Sequence, residues 1–227
     1  PHPKRRPCPV LSKEPTIHIT PEDSTRSGAI LPGTPLLLHA CCGPCSLEPL
    51  KLLREEGFEP TICWTNPNIQ PIEEHEHRLK TLLTWAQEVA HVEVIVAGDP
   101  RETWECSVAP AAFDRERRCG ACYAIRLKES CRVACEQGFS FISTTLAVSP
   151  YQLFDVCGDE LVSIAHSYGL TPVWRDFRPY YAEATKESRE LGMYRQNYCG
   201  CRFSAAEATL ERQEARDVRK AAKKHAY

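Results

Sequence analysis

The chain has 227 residues, of which 42% are hydrophobic and 26% are charged, so it is long enough for one sizeable core and short for two full domains. Its 28 basic and 30 acidic residues give a net charge of −2, which excludes nucleic-acid binding through a whole-protein positive field and leaves a local basic surface for that purpose. No run of about eighteen apolar residues is present and no signal-type segment follows the first residues, so we expect no membrane span and a cytoplasmic protein.

Strands and helices are predicted to alternate along the chain. Apolar, β-branched runs predict strands near residues 35–40, 61–64, 92–96, 139–143 and 172–174. Helical spacing of apolar residues predicts helices near residues 47–53, 73–90, 119–138, 155–168 and 181–191. This order predicts an α/β fold with three layers, α/β/α, around a mainly parallel sheet with right-handed crossovers. In such sheets, ligands bind beyond the carboxyl ends of the strands.

The two ends of the chain differ in composition from this alternating region. Residues 1–34 are rich in proline and lack periodicity, which is typical of a disordered or extended tail. Residues 205–227 are polar, and we expect them to form a helical tail whose basic residues help to bind an RNA backbone. One domain, residues 35–204, is therefore predicted between two tails.

Seven of the thirteen cysteines lie in three tight groups: Cys41 and Cys42 with Cys45, Cys119 with Cys122, and Cys199 with Cys201. In a reducing compartment this spacing is typical of metal ligands or reactive thiols rather than of structural disulfides. A vicinal pair can bind two irons of one cluster, whereas a disulfide between adjacent residues is strained. The first two groups offer the four thiolates of a [4Fe–4S] cluster and equally those of a tetrahedral zinc site, from Cys41, Cys42, Cys119 and Cys122.

The remaining thiols of these groups suggest reactivity. Cys199 and Cys201 are one residue apart, which permits a strained, easily reduced disulfide or joint binding to a metal with an open coordination position. Cys45 lies one helical turn beyond Cys41, so we predict that it is a further metal ligand or a proton donor.

Guanidinium and aromatic side chains predict an RNA-facing rim. Arg175 and Arg178 flank Asp176, and Arg195 follows Tyr194. Arginine binds phosphate through its planar fork and aromatic rings stack on bases, so these stretches are interpreted as an RNA contact. A solvated loop remains the alternative interpretation.

Six motifs, in this order, resemble those of the cobalamin-independent epoxyqueuosine reductase family. They are HACCGPC at residues 39–45, NPNI at 66–69, RCGACY at 118–123, TTLAVSPY at 144–151, RDFR at 175–178 and YRQNYCGC at 194–201. The resemblance covers about residues 35–204. Gln70 and Gln152 stand where the family pattern has His and Lys.

The resemblance implies a nucleotide-hydrolase-like (HUP-like) fold and reduction of the epoxide of epoxyqueuosine in a tRNA anticodon loop, the last step in the synthesis of queuosine. It also implies a [4Fe–4S] cluster, carried onto Cys41, Cys42, Cys119 and Cys122. A redox-active or second-metal-binding pair is carried onto Cys199 and Cys201, and a mononuclear iron or zinc is the implied second metal. The implied partners are tRNA containing epoxyqueuosine and an electron donor that the sequence does not identify.

Reducing an epoxide to an alkene and water requires two electrons, two protons and stabilisation of the leaving oxygen. We hypothesise that Cys199 and Cys201 hold a Lewis-acidic iron or donate two electrons by closing a disulfide, and that Cys45 completes the second metal site. Asp176 or Tyr198 is predicted to deliver protons.

Two other functions fit the thiols. The first is a zinc-stabilised RNA-binding module without catalysis, in which the cysteines are structural. The second is a dithiol oxidoreductase that acts through Cys199 and Cys201 and needs no iron.

Overall fold

A computed structural model describes residues 30–225, with side chains through residue 219. The predicted N-terminal tail therefore lies outside the described residues except for its last positions. Residues 30–225 contain five strands: β1 (Thr34–Ala40), β2 (Phe58–Trp64), β3 (Val94–Val96), β4 (Phe141–Thr144) and β5 (Thr171–Pro172). They form one parallel sheet in the order β3-β2-β1-β4-β5.

Seven α-helices connect or follow these strands within the described residues. They are α1 (Gly43–Glu55), α2 (Ile72–Trp85), α3 (Arg101–Val108), α4 (Arg115–Glu136), α5 (Phe154–Ser167), α6 (Tyr181–Glu190) and α7 (Arg202–His225). A π-helical turn at Ala86–Ala90 prolongs α2 to the predicted end of that helix. Helix α3 was not predicted from the sequence.

The central strand β1 explains why both faces of the sheet are covered. All side chains from Leu36 to Ala40 are fully buried, as the middle strand of a parallel sheet requires. Leu38 shares a buried cluster with Leu53 of α1, whereas Leu37 shares another with Leu127 of α4. Successive side chains of a strand point to opposite faces, so helices lie on both sides. The predicted three-layer α/β/α architecture is confirmed.

The strand order reverses between β1 and β4, and this is the point where sheets of this type bind ligands. Cys41 directly follows the carboxyl end of β1 at this point. Its backbone N–H donates to Thr145 Oγ1, just after β4, at 3.1 Å. The first cysteine group therefore lies at the predicted edge of the sheet.

Helix α4 begins earlier than its cysteines suggest. Asp114 caps its N-terminus by accepting a hydrogen bond from the Arg117 backbone N–H at 3.1 Å. The sequence predicted that Cys119 and Cys122 open this helix. Instead, both residues lie inside it. Their positions are fixed by the regular backbone of a 22-residue helix.

At the C-terminus, the predicted helical tail is part of α7, which begins at Arg202 and runs through the predicted boundary at residue 205. Across residues 30–225, no helix combines the length and the apolar character that crossing a membrane requires.

Candidate metal centre

Three cysteines at the junction of β1 and α1 form the tightest group of metal-ligating side chains among the described residues. The Sγ atoms of Cys41, Cys42 and Cys45 all lie within 4.8 Å of one another, and those of Cys41 and Cys42 are 3.9 Å apart. Tetrahedral bonds of about 2.3 Å place two sulfurs of one metal ion about 3.8 Å apart. The triad therefore fits three ligands of one metal and includes Cys45, which the sequence predicted as a further ligand.

The local backbone explains how the triad forms. Cys42 is the N-cap residue of α1 in an extended conformation, and Pro44 occupies the first turn of the helix. Proline is well suited to that turn because its missing N–H would have no partner there. One turn of helix then returns Cys45 to the side of the strand end.

Contacts among the three thiols shift their pKa values in different directions. Contacts with the Cys42 and Cys45 thiols hold the pKa of Cys41 well below its usual value, and the Arg126 guanidinium also lowers it. Burial raises the pKa of Cys42, and the neighbouring Cys41 and Cys42 sulfurs raise that of Cys45. Of the three thiols, Cys41 therefore loses its proton most readily.

Polar side chains from distant parts of the chain contact the triad. Gln196 Nε2 donates to Cys42 Sγ at 2.8 Å, and Thr145 Oγ1 lies 3.4 Å from Cys41 Sγ. Donors of this kind orient metal ligands and hold them in place.

The second group, Cys119 and Cys122, faces the third group from α4. Burial raises the pKa of Cys119 to about 11 and that of Cys122 to about 12, and in both cases the nearby Cys199 and Cys201 sulfurs raise it further. Cys201 also packs against the buried cluster that contains Cys122. Cys199 in turn interacts electrostatically with Cys41. The structure therefore brings the three predicted groups into one region.

The turn that carries Cys199 and Cys201 depends on Gly200. This glycine has a φ of +134°, and a Cβ added there would lie 2.9 Å from Ile69 Cγ1. Its carbonyl accepts a hydrogen bond from the Gln70 backbone N–H at 2.9 Å. The turn is thereby packed against the loop that follows β2.

Arg78 of α2 also holds the turn that carries Cys199 and Cys201. Its side chain is only 1% exposed and pairs with Glu74 at 2.6 Å. The guanidinium donates to the carbonyls of Cys199 at 2.9 Å and Tyr198 at 3.3 Å, and it lies 4.9 Å from the centre of the Tyr198 ring. A buried arginine thus helps to set the position of Cys199 and Cys201.

Gln152 is a further contact of the third group. Its Nε2 lies 3.5 Å from Cys199 Sγ, and its Oε1 accepts from the Tyr123 hydroxyl at 2.8 Å. The sequence marked Gln152 only as a departure from the family pattern. Its contact with Cys199 indicates that this departure lies in the site itself.

The two predicted proton donors lie in different surroundings. Tyr198 donates its hydroxyl to the Gln70 carbonyl at 2.7 Å, and burial raises its pKa. Asp176 is exposed and accepts three hydrogen bonds from Arg178, from its backbone N–H at 3.0 Å and from its guanidinium at 2.8 and 2.7 Å, which hold its pKa below the usual value. None of the contacts described for Asp176 reaches a cysteine.

The predicted RNA-facing arginines are occupied by contacts within the protein. Arg175 pairs with Glu56 at 3.0 Å, and Arg178 stacks 3.8 Å from the Phe154 ring centre while pairing with Asp176. A phosphate would have to compete with these carboxylates for the guanidiniums.

Buried polar atoms without partners surround the cysteines and bear on whether the site fits a metal group. Within the described residues, His39 Nε2, Gln196 Oε1 and the Nε and Nη1 atoms of Arg126 make no hydrogen bond. Such atoms normally have a partner in a folded protein. Together with the soft thiol donors, they fit a thiolate-bound metal group, so the residues present suit the cofactor implied by the resemblance.

Two solved structures share limited likeness with this chain. A predicted subunit of tRNA methyltransferase from Methanocaldococcus jannaschii is 12% identical with a TM-score of 0.47, over 70% of this chain and 89% of that one. The U34-tRNA thiolase NcsA from Methanococcus maripaludis with its [4Fe-4S] cluster is 15% identical with a TM-score of 0.45, over 83% of this chain and 68% of that one. Likeness at this level says nothing about function.

Sequence comparison is far more specific. The family model described as epoxyqueuosine reductase QueH matches residues 36–207. Relatives named epoxyqueuosine reductase QueH include those of Dehalococcoides mccartyi, 32% identical over 76% of this chain and 93% of that protein, and Thermotoga maritima, 32% identical over 79% and 92%. The Haemophilus influenzae relative is 28% identical over 79% and 75%. The chain therefore belongs to the epoxyqueuosine reductase QueH family of oxidoreductases.

Proposed function

We propose that this protein reduces the epoxide of epoxyqueuosine in a tRNA anticodon loop and so forms queuosine. The observation that carries the proposal is the meeting of three cysteine groups at one edge of the sheet, in a chain of this family. A parallel sheet places the ends of β1 and β4 together, and α4 directs its thiols toward the same region.

In this proposal, a [4Fe–4S] cluster is held by Cys41, Cys42, Cys119 and Cys122. Cys199 and Cys201, with Cys45, hold a second iron or zinc or act as a free dithiol. When bound, these groups supply single electrons and a Lewis acid for the epoxide oxygen.

The chain's own residues hold and protect this chemistry. Arg78 and Gly200 fix the turn of the third cysteine group, and Gln196 orients Cys42. If Cys199 and Cys201 act as a dithiol, closing their disulfide releases two electrons and two protons, which balances conversion of an epoxide to an alkene and water. Burial raises the pKa of Cys199, so this thiol keeps its proton until it reacts.

For protonation of the leaving oxygen, we favour Tyr198 over Asp176. Tyr198 precedes Cys199 directly, and its raised pKa keeps the hydroxyl protonated at neutral pH. The ion pair with Arg178 keeps Asp176 ionised, so it has no proton to give. Both residues were predicted as donors from the sequence, and the contacts of Tyr198 suit the role better.

An open groove beside the third cysteine group is the proposed path of the RNA. Tyr198, Asn197, Arg202 and Arg212 line it. Tyrosine stacks on unpaired bases and arginine binds phosphate, which suits the single-stranded loop of a tRNA. Arg202 already pairs with Glu105, so Arg212 supplies the basic contact in this groove.

The decisive experiment incubates tRNA containing epoxyqueuosine with anaerobically reconstituted protein and a chemical reductant. Nucleosides from the digested tRNA are then analysed by mass spectrometry. We expect epoxyqueuosine to disappear as queuosine forms, and no product from protein treated with an iron chelator. Protein that contains iron and sulfide but forms no queuosine would contradict the proposal.

The spacing of the triad supports a second candidate, the zinc-stabilised RNA-binding module. Sulfurs within 4.8 Å of one another suit a single ion as well as a cluster. Metal analysis separates the two functions, because colourless protein with one tightly bound zinc indicates the module, whereas brown protein with iron and labile sulfide indicates the reductase.

A further inference from the structure

Arg126 is a fully buried cation near all three cysteine groups, and it has no part in the chemistry proposed above. Its side chain lies in α4 among the least exposed of the protein, with 1% exposure. Cys119, Cys122 and Arg126 lie three and four residues apart in sequence, so they share one face of α4. Helix geometry therefore directs the guanidinium toward the same space as the two thiols.

The protein satisfies only part of this guanidinium. One nitrogen, Nη2, donates to Asn66 Oδ1 at 2.6 Å, and Asn66 in turn donates to the Ala40 carbonyl at 2.9 Å, directly before Cys41. The Nε and Nη1 atoms make no hydrogen bond within residues 30–225. Two of the guanidinium nitrogens thus remain available on a side chain that water does not reach.

The ionisable neighbours of Arg126 are thiols, which come from all three cysteine groups and from Cys157. Burial, the largest effect, lowers the pKa of Arg126, but the nearby Cys122, Cys199 and Cys41 sulfurs outweigh it and raise the pKa. No carboxylate is among the groups acting on it there.

Energetics make this arrangement informative. A buried charge with no opposite charge beside it is strongly destabilising, and the one acidic thiol among the neighbours of Arg126, Cys41, offsets only part of that effect. Thiolates bound to a metal group carry the negative charge that would offset the cost. The surroundings of Arg126 are therefore complete only when the cysteines are ionised and bound.

We propose that Arg126 is the fixed counter-charge of the thiolate-bound centre: it donates hydrogen bonds to the centre, increases its retention and raises its reduction potential. The inference rests on the proposed function, since it requires a redox-active centre on these cysteines. A positive charge close to a metal centre favours its reduced, more negative form. Arg126 is accordingly a positioning and tuning residue that acts through the cysteines.

A purely structural role makes a different prediction. If Arg126 serves only to tie Asn66 to α4, its removal loosens the end of β1 but leaves the potential of any loaded centre unchanged. Its replacement by lysine, which retains the charge but not the planar fork, would then be as harmful as its replacement by methionine.

The test compares full-length Arg126→Met, Arg126→Lys and Arg132→Met proteins, reconstituted anaerobically. Arg132→Met is the matched control because it removes one positive charge from the same helix at an exposed position, and Arg132 is not among the groups that shift Cys41, Cys122 or Cys199. The midpoint potential is measured by redox titration, and retention by the rate of iron loss to a chelator. Circular dichroism checks folding.

We expect Arg126→Met to shift the midpoint potential to a more negative value and to weaken iron retention by 10–100-fold, with each measure nearer wild type in Arg126→Lys. Arg132→Met should match wild type. If Arg126→Met cannot be loaded but Arg126→Lys can, the charge is again supported. An unchanged potential in Arg126→Met, or failure of both variants to load, overturns the inference. Wild-type protein without any redox-active centre would instead refute the proposed function.

Discussion

The first and third cysteine groups are positioned in opposite ways. Cys41 and Cys42 follow the fully buried central strand, and Cys45 lies in the helix that begins there, so the backbone of the fold sets their positions. Cys199 and Cys201 lie in a turn between helices, and side chains 121 and 47 residues away, those of Arg78 and Gln152, contact Cys199. The first group should therefore tolerate changes around it, whereas the third should be sensitive to single contacts.

The largest expected effect comes from removing a thiol of the second cysteine group, Cys119 and Cys122, which lies between the first and third groups. Cys119→Ser deletes a proposed ligand from the rigid helix α4, and because cluster irons need thiolate ligands, we expect loss of the brown colour and of all queuosine formation. Iron content, labile sulfide and visible absorption measure the loss.

Cys135→Ser is the matched control for that change. This thiol is free and exposed near the end of the same helix, so its removal should leave colour and activity intact. A Cys119→Ser protein with full iron content and full turnover would remove Cys119 from the ligand set and, with it, the idea that the two regions share one centre.

The next effect tests whether side chains alone hold the third group. Arg78→Met deletes the donors to the Cys199 and Tyr198 carbonyls and leaves the Glu74 carboxylate without its cation. We expect a loss of about 3 kcal/mol in the free energy of unfolding and a fall of 10–100-fold in activity. Urea titration and the nucleoside assay measure them.

Lys80→Met serves as the control, because Lys80 is exposed on the same helix. The comparison between regions also predicts which thiols become reactive. In Arg78→Met, alkylation monitored by mass spectrometry should speed up at Cys199 and Cys201 but stay unchanged at Cys41 and Cys42. Equal acceleration in both regions would show that Arg78 stabilises the fold as a whole.

A smaller effect distinguishes a substitution that only strains the backbone from one that also displaces the turn of Cys199 and Cys201. Gly200→Ala and Gly138→Ala both place a side chain at a positive φ, of +134° and +77°, but only the first meets a neighbour, Ile69 Cγ1 at 2.9 Å. Each should cost about 1–3 kcal/mol of stability. Only Gly200→Ala displaces the reactive turn, so it alone should lower activity, by about tenfold.

This pair is measured by thermal unfolding and by initial rates of queuosine formation. The expected pattern is a larger stability loss in Gly200→Ala, because of its contact with Ile69, and a lower rate in Gly200→Ala alone. If Gly138→Ala slows the reaction as much as Gly200→Ala, the turn has no special role in positioning Cys199 and Cys201.

The sequence predicted the first region better than the third, for physical reasons. An apolar run followed by two cysteines and a proline predicts a buried strand, a thiol pair and a helix start from local rules alone. Parallel strands then bring their carboxyl ends together, which placed Cys41 and Cys42 at the ligand-binding edge of the sheet. Those inferences needed no knowledge of long-range contacts.

The supporting residues could not be found in this way. Arginine is normally exposed, so nothing local marks Arg78 or Arg126 as buried, and the partners of Arg78 lie 120 residues further along the chain. The one available signal was the spacing of Arg126 from Cys119 and Cys122 on a helical face. Helix α3 was missed because its eight residues are too few for a clear period.

The smallest expected effect concerns a residue that contacts neither region. Asp176 is exposed and paired with Arg178, and this hydrogen-bonded partner lowers the pKa of its carboxyl. A carboxyl with a lowered pKa stays ionised throughout the pH range in which carboxyls usually titrate, and it takes up a proton only when the pH falls below that range. Asp176→Asn should therefore leave queuosine formation nearly unchanged between about pH 6 and 8.

Tyr198→Phe provides the contrast, because it removes a hydroxyl held at the Gln70 carbonyl beside the reactive turn. Rate–pH profiles of both variants, measured with saturating tRNA, decide between them. We expect the Tyr198→Phe rate to fall at every pH while the Asp176→Asn profile overlaps that of the wild type. A fall confined to Asp176→Asn would mean that the proton comes from the exposed loop after β5, and that the ion pair with Arg178 opens when the RNA binds.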